Sequence, residues 1–395
     1  MLPQTSGRSP YLLPVLLACA SLTVMSGATI APGLPGLVEH FKDYPEADFL
    51  SRLILTAPGL AIACSAALAG WVADKLGRRV LLQVGICVYI LAGSAGIWVD
   101  DLIVLLVSRF ILGISVGMIM VSSMALLTDH FQGPERDRAM GQQSSAMATG
   151  AIVFITIGSV LADISWRAPF AVYLLPVLLI PLVYFIISKP PPAEKPEYNV
   201  EGAFPVAHAS LLYALGFISM VMFYFIPSQL PFLAQELGAN SLKIAGFAVV
   251  FSQIFSALAS ANYQRLRRHL DNQQVLLLSY LLMSSGFVLL SQAQSLLVVY
   301  VSMPLIGIGL GFNFPNLTIW LMSRIPSDMR GRASGGMTSA VFIGQFISPL
   351  SSQPLVNAYS LSTAYMVAAI VMFVAVIVPT LSFVVYRKYK LLAVQ

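Results

Sequence analysis

The sequence predicts an all-α membrane protein of twelve transmembrane helices, arranged as two pseudo-symmetric six-helix bundles. Three observations predict it: the composition, twelve apolar stretches of spanning length, and a polar connection that divides them six and six. The chain has 395 residues, 57% hydrophobic and 10% charged, with a mean hydropathy of +0.82. Soluble domains carry roughly 25% charged residues, and a soluble fold has too much surface to hide so large an apolar share. A bilayer is the solvent this composition calls for, and each helix crossing it needs about 20 residues.

Hydropathy places the spans at 11–38, 51–73, 80–99, 102–128, 139–162, 168–188, 208–233, 242–263, 274–291, 296–323, 335–357 and 361–386. The first begins at Tyr11, after a single Arg8, and reads as a retained transmembrane helix, since no small-residue cleavage site follows. Spans 1 and 10 are rich in Pro and Gly (Pro32, Pro35; Gly307, Gly309, Gly311, Pro315), residues that bend helices or let neighbours approach closely.

Orientation follows from Lys and Arg. The termini and the connections after spans 2, 4, 6, 8 and 10 carry 17 of them, against 4 on the opposite side. The positive-inside rule then puts both termini in the cytoplasm, and the net charge of +5 belongs to that face rather than to a nucleic acid. The longest polar connection, 189–207, is KPPPAEKPEYNVEGAFPVA, a Pro-rich charged linker. It separates an N-terminal bundle, 1–188, from a C-terminal bundle, 208–395. The two halves also repeat each other. Arg136, Arg138, Ala139 and Gly141 after span 4 align with Arg330, Arg332, Ala333 and Gly335 after span 10. Paired bundles of this kind occur in secondary transporters.

Some residue types argue mainly for what is absent. Cys19, Cys64 and Cys87 each lie in an apolar run with no CxxC spacing, so they read as small core residues and imply no disulfide or metal site. His40, His130, His208 and His269 lie near span ends and read as solvated interfacial residues. No GxxxxGK[ST] or GxSxG motif occurs, which removes the sequence basis for ATP hydrolysis or serine-hydrolase chemistry. No enzyme activity and no cofactor beyond possible proton coupling are implied. The expected partners are the lipid bilayer and a small-molecule substrate, with a monomer as the default.

The run GWVADKLGRRVLL, Gly70 to Leu82, resembles the first cytoplasmic loop motif of the major facilitator superfamily, GxLaDrxGrkxxl, with Val72 in place of Leu. RFILGISVG, Arg109 to Gly117, is similar to that family's span-4 motif. WRAPF, Trp166 to Phe170, and TIAPGLPGL at the end of span 1 also resemble it. The resemblance covers essentially the whole chain, and bacterial drug and metabolite efflux permeases are the members it most suggests. It implies a multi-pass transporter of the cytoplasmic (inner) membrane that works by alternating access. An uptake carrier or uniporter for a small nutrient such as a sugar is the first alternative. A non-transporting receptor is the second, disfavoured because the loops leave little surface for a partner.

Gly70 and Gly77 suit close packing and a tight turn, and Asp74 can pair with Arg78 or cap a helix N-terminus. In the superfamily this Asp latches the cytoplasmic side, and its Arg reaches an acid at the end of span 4, where Asp129 stands. The resemblance therefore implies an Asp74–Arg78–Asp129 cluster near the start of span 11. Arg79, Arg136, Arg138, Arg330 and Arg332 complete this basic gate region, where they also set orientation. Two features depart from the drug-antiporter pattern. Ser26 occupies the span-1 position that often carries an acid. The span-5 signature is reduced to GAIVFITIG, without Pro. All 17 acids fall at span ends or in connections.

Arg109 is the only charge expected deep within a span. An unpaired Arg there costs at least about 2.5 kcal/mol, so it should face the interior, either as an anion-binding or coupling residue or bonded to backbone carbonyls. The other candidate cavity residues are Met25, Ser26 and Thr29 in span 1, and Phe223, Tyr224 and Gln229 in span 7. Gln253 in span 8, Asn313, Asn316 and Trp320 in span 10, and Gln345 in span 11 complete the set. Each amide contacts a substrate or bonds a neighbouring helix. Together they outline an amphipathic, mostly uncharged and aromatic cavity.

Overall fold

The computed structural model describes residues 9–187, 204–326 and 329–392, without the side chains of Ala28, Ala67, Asp74, Asp137 and residues 378–392. The described residues form helices and turns with no strand. The chain divides into two compact units, Met1–Glu197 and Tyr198–Gln395. Most of the expected 189–207 linker lies outside the described residues.

In unit 1, span 1 is α1 (Leu12–Ala28), a 3-10 turn (Ala31–Gly33) and α2 (Leu34–His40). The interruption falls where Pro32 and Pro35 withhold backbone N–H groups. Spans 2 and 3 are α3 (Ala47–Leu76) and α4 (Arg78–Gly93), the latter extended by a 3-10 turn at Ser94–Ile97. Only Gly77 separates them, at φ +91°, a conformation other residues adopt at a cost. Spans 4 and 5 are α5 (Leu102–His130) and α6 (Gly133–Ala162). The Asp101 side chain caps α5 by accepting from the Val104 amide at 2.8 Å. Span 6 opens as eleven residues of 3-10 helix, Ala168–Leu178, and closes as α7 (Leu179–Ile186). Pro169 and Pro176 remove amide donors from that stretch.

Unit 2 contains α8 (Val206–Glu236), α9 (Lys243–Arg267), α10 (Asn272–Ser291), α11 (Leu296–Met322), α12 (Arg330–Ala358) and α13 (Leu361–Leu392). A capping box between Asp271 and Gln274 starts α10. The helices follow the twelve expected spans closely. Among the described residues ten are long and apolar enough to cross a membrane, and Leu361–Ile377 of α13 is a shorter apolar segment. α12 falls below that apolarity because Ser, Thr, Gly and Gln recur along it.

The two units use the same packing device. In unit 1, a Cβ on Gly113 would meet the Pro58 carbonyl and come within 2.6 Å of Ala61 Cβ, and one on Gly117 would come within 2.7 Å of Ser65 Oγ. In unit 2, Gly307 and Gly311 face the carbonyls of Ser252 and Ser256 in the same way. Each pair is a small-xxx-small stripe that lets backbones touch, and it packs span 4 on span 2 and span 10 on span 8.

Because backbone lies opposite Gly113 and Gly311, the neighbour there cannot yield by changing a rotamer. Gly113→Val and Gly311→Val should each destabilise the protein by about 1–3 kcal/mol. Gly141→Val is the control, since a Cβ there would meet nothing within 4 Å. Thermal unfolding of the three detergent-purified variants checks the difference.

Candidate functional site

Arg109, on α5, is completely buried. Its Nη2 donates to the carbonyls of Ala92 at 3.0 Å and Gly93 at 2.5 Å, at the end of α4. Its Nε and Nη1 have no hydrogen-bond partner. The guanidinium lies instead over the rings of Phe170, 4.8 Å away, and Tyr173, 5.1 Å away, both in span 6. Ring faces attract a desolvated cation, so aromatic quadrupoles and carbonyl dipoles stand where a carboxylate would otherwise be needed. Gly93 and Gly96 make room for the rings: a Cβ on Gly93 would lie 2.6 Å from Tyr173, and one on Gly96 would overlap Phe170.

The candidate residues of span 1 lie beside this cluster. Met25, Ser26 and Thr29 are buried where α1 ends. Thr29 Oγ1 donates to the Met25 carbonyl at 2.7 Å, and Ser26 Oγ to that of Thr23 at 3.0 Å. Tyr173 donates to the Ser26 carbonyl at 3.1 Å, with Met25 O at 3.4 Å, and Tyr89 donates to Leu22 O at 2.9 Å. Sequence reading missed both tyrosines. The one available signal was WRAPF, which points at the start of span 6.

At the α3–α4 turn, Arg78 pairs with Asp129, and its Nη1 also reaches the Ala125 carbonyl at 3.4 Å. Both partners are at least partly buried. The expected third member, Asp74, lies outside the described side chains. Arg79 donates to the Tyr184 carbonyl and stacks on that ring at 5.0 Å, tying α4 to α7. Gly77 makes the turn, whereas Gly70 has open space around its Cα, so close packing does not account for it. Arg136, Arg138 and Arg330 are exposed; exposed Arg332 lies over Phe204 at 5.2 Å.

The buried amides of unit 2 bond helix to helix. Asn313 Nδ2 donates to Ser219 Oγ at 2.7 Å, within a network that includes the Tyr280 hydroxyl. Asn316 accepts from the Tyr263 hydroxyl at 3.1 Å and donates to the Asn272 carbonyl at 2.8 Å. Gln229 donates to Ser352 Oγ at 2.9 Å. Gln345 is buried and Tyr224 nearly so, the latter edge-on to half-buried Phe223. Gln253 and Trp320 are also half-buried, and the Trp320 carbonyl accepts from His208 Nε2 at 3.0 Å.

Arg52, expected at the start of span 2, lies in the second turn of α3, 2% exposed and bonded to Asp48. Two sequence expectations need correction. His130 is buried rather than solvated, with Nδ1 donating to the Leu126 carbonyl at 2.8 Å. Of the cysteines only Cys19 is in the core; Cys64 and Cys87 are exposed on the protein surface.

The opposite end of unit 1 carries a charged clasp. The Asp100 carboxylate accepts from His40 Nε2 at 2.7 Å and from Arg167 Nη2 at 2.6 Å. Arg167 also donates to the carbonyls of Gly96 and Val99 and lies over Trp166 at 4.3 Å. The His40 hydrogen bond, followed by the charge of Arg167, holds the Asp100 carboxyl below its usual pKa.

Comparison with known proteins places this arrangement. The family model described as Major Facilitator Superfamily matches residues 16–349 and 212–392. The chain belongs to the Major Facilitator Superfamily. It is therefore a multi-pass membrane transporter of small molecules and not an enzyme. It is 25% identical to the class D tetracycline resistance protein of Salmonella ordonez over 85% of this chain and 87% of that one. It is 28% identical to the arabinose-proton symporter of Escherichia coli K12, over 41% of this chain and 34% of the symporter. The crystal structure of a bacterial homologue of the human lysosomal transporter Spinster, inward-facing and occupied, aligns with a TM-score of 0.72 at 13% identity, covering 94% of this chain and 95% of that one. At that identity the likeness is one of fold.

Two outcomes follow from the geometry. Arg109→Ala leaves two buried carbonyls without a donor and opens a cavity, so thermal unfolding should register a loss of about 3 kcal/mol. For Asp100, a pKa lowered in the folded state means a stabilising contribution that is present above the ordinary value of 3.8 and lost as pH falls below it. The Tm gap between the native protein and Asp100→Asn should therefore hold steady from pH 7 down to about 4 and close below that. A gap that closes between pH 7 and 5 would contradict the assignment.

Proposed function

We propose that this transporter exports a small amphipathic compound or metabolite across the inner membrane by alternating access, with both termini in the cytoplasm. One observation carries the reading: among the described residues the buried polar side chains are hydroxyls, amides, one His and two Arg, with no carboxylate. Such an interior suits a cargo held by hydrogen bonds and ring contacts rather than by an acidic anchor. Ser26 and Thr29 in unit 1, and Phe223, Tyr224, Gln229, Gln253, Asn313, Asn316, Trp320 and Gln345 in unit 2, are the residues we assign to cargo, with Arg109 bonded to backbone behind them. Similarity to a tetracycline resistance protein over most of both chains supports export.

The cytoplasmic basic cluster, with Arg78 and Asp129 at its centre and Asp74 expected beside them, serves as the gate. Proton exchange is the coupling we assign, through carboxylates at helix ends such as Asp129. Sugar uptake without proton coupling is the second reading. The absence of a buried carboxylate among the described residues favours its lack of proton coupling, and the partial match to an arabinose-proton symporter supports only its choice of cargo.

Purified protein in proteoliposomes, with an imposed pH gradient and an internal pH dye, separates these readings. Tetracycline and ethidium should each provoke proton movement, and Asp129→Asn should reduce it at least tenfold. Arabinose flux that is indifferent to a protonophore, with no response to either amphiphile, would replace export with uptake.

A further inference from the structure

We infer that Tyr173 and Tyr89 are positioning residues for the transport site, because they hold the broken end of α1 in register for cargo. The inference rests on the assignment of Ser26 and Thr29 to cargo made above.

The last four carbonyls of an α-helix have no partner within it. In α1, which ends at Ala28, these are the carbonyls of Met25 to Ala28. At the middle of a membrane no water is present to satisfy them, yet the break is placed there by Pro32 and Pro35. Tyr173, from span 6, supplies the missing donor to Ser26 and lies within reach of Met25, where Thr29 Oγ1 also donates. Tyr89, from span 3, bonds the Leu22 carbonyl one turn earlier on the same face. The two hydroxyls therefore grip α1 at Leu22 and Ser26, immediately before Thr29.

Their own placement is not free. Both rings are completely buried and lie 5.6 Å apart, centroid to centroid. Arg109 covers Tyr173 while anchored to Ala92 and Gly93, and Gly93 leaves the slot that the Tyr173 ring fills. Span 4 thus sets span 6, and spans 3 and 6 set the break of span 1. Arg109, completely buried beneath the Phe170 and Tyr173 rings, acts at one remove from the cargo, through Tyr173. This accounts for a fully buried guanidinium with no buried carboxylate among the described residues to balance it.

The test uses Tyr173→Phe and Tyr89→Phe, which keep the ring and remove only the hydroxyl. Ethidium transport by the full chain in everted membrane vesicles gives KM and maximal rate. A second readout is the rate at which N-ethylmaleimide labels Ser26→Cys, in a background with Cys19, Cys64 and Cys87 changed to Ala. One hydrogen bond to a held backbone corresponds to about a threefold change, and two to about tenfold. The expected result is a KM raised about threefold by each single variant and about tenfold by the pair. The maximal rate should stay within twofold, and Ser26→Cys labelling should accelerate at least threefold.

Unchanged KM and unchanged labelling would overturn the inference. So would a fall in maximal rate and Tm with KM intact, which is the mark of a purely structural hydroxyl. Faster labelling with unchanged ethidium KM would overturn the assignment of Ser26 and Thr29 to cargo, while leaving the anchoring of α1 in place. If the native protein does not move ethidium, the export reading fails for that probe and the labelling rate alone decides the anchoring.

Discussion

A guanidinium with no carboxylate partner occupies the interior of unit 1, and much of the packing around it answers to that fact. A cation taken out of water must be met by fixed dipoles or ring faces. Arg109 finds two carbonyls at the end of α4 and two aromatic faces in span 6. Meeting it in this way requires glycines at 93 and 96, so that rings can approach the backbone of span 3. It also brings Tyr173 to the point where span 1 lacks a hydrogen-bond donor. One buried charge thereby ties together spans 1, 3, 4 and 6.

The second organising constraint is that helices gain little hydrophobic attraction from one another inside lipid. Association must come from close contact, and both units obtain it from paired glycines four residues apart. That the device recurs on spans 4 and 10, each against the helix two spans earlier, is a structural counterpart of the repeated Arg-rich loops. The repeat is thus written in packing as well as in sequence. In unit 2 the amides add to it, linking α8 to α11 and α12 and α10 to α11 through buried hydrogen bonds.

What could be read from the sequence divides along physical lines. The spans were legible because twenty apolar residues in a row have few other solutions. The Arg78–Asp129 pairing was legible through a motif whose loop fixes its own geometry. The roles of Tyr89 and Tyr173 were not, because a tyrosine in an apolar run gives no sign of which carbonyl its hydroxyl will meet. His130 was misplaced for a related reason: hydropathy marks the limits of lipid, not of a helix, and α5 runs on to His130. α3 and α6 each start several residues earlier than the apolar run. Gly70, chosen for close packing, has nothing near it, since a glycine in a motif does not announce which neighbour it serves.

The 3-10 stretch at the start of span 6 also bears on membrane thickness. A 3-10 helix rises about 2.0 Å per residue against about 1.5 Å for an α-helix. Nineteen residues wound entirely as α-helix would extend about 28 Å, slightly short of a hydrocarbon core of about 30 Å. With residues 168–178 drawn out as 3-10 helix, the same segment extends about 34 Å. Span 6, the shortest of the ten membrane-length segments among the described residues, therefore gains the reach to clear the hydrocarbon core by stretching its backbone rather than by adding residues. Pro169 and Pro176 withhold the donors that would favour tighter rise, which makes the reach of this span a property of two prolines.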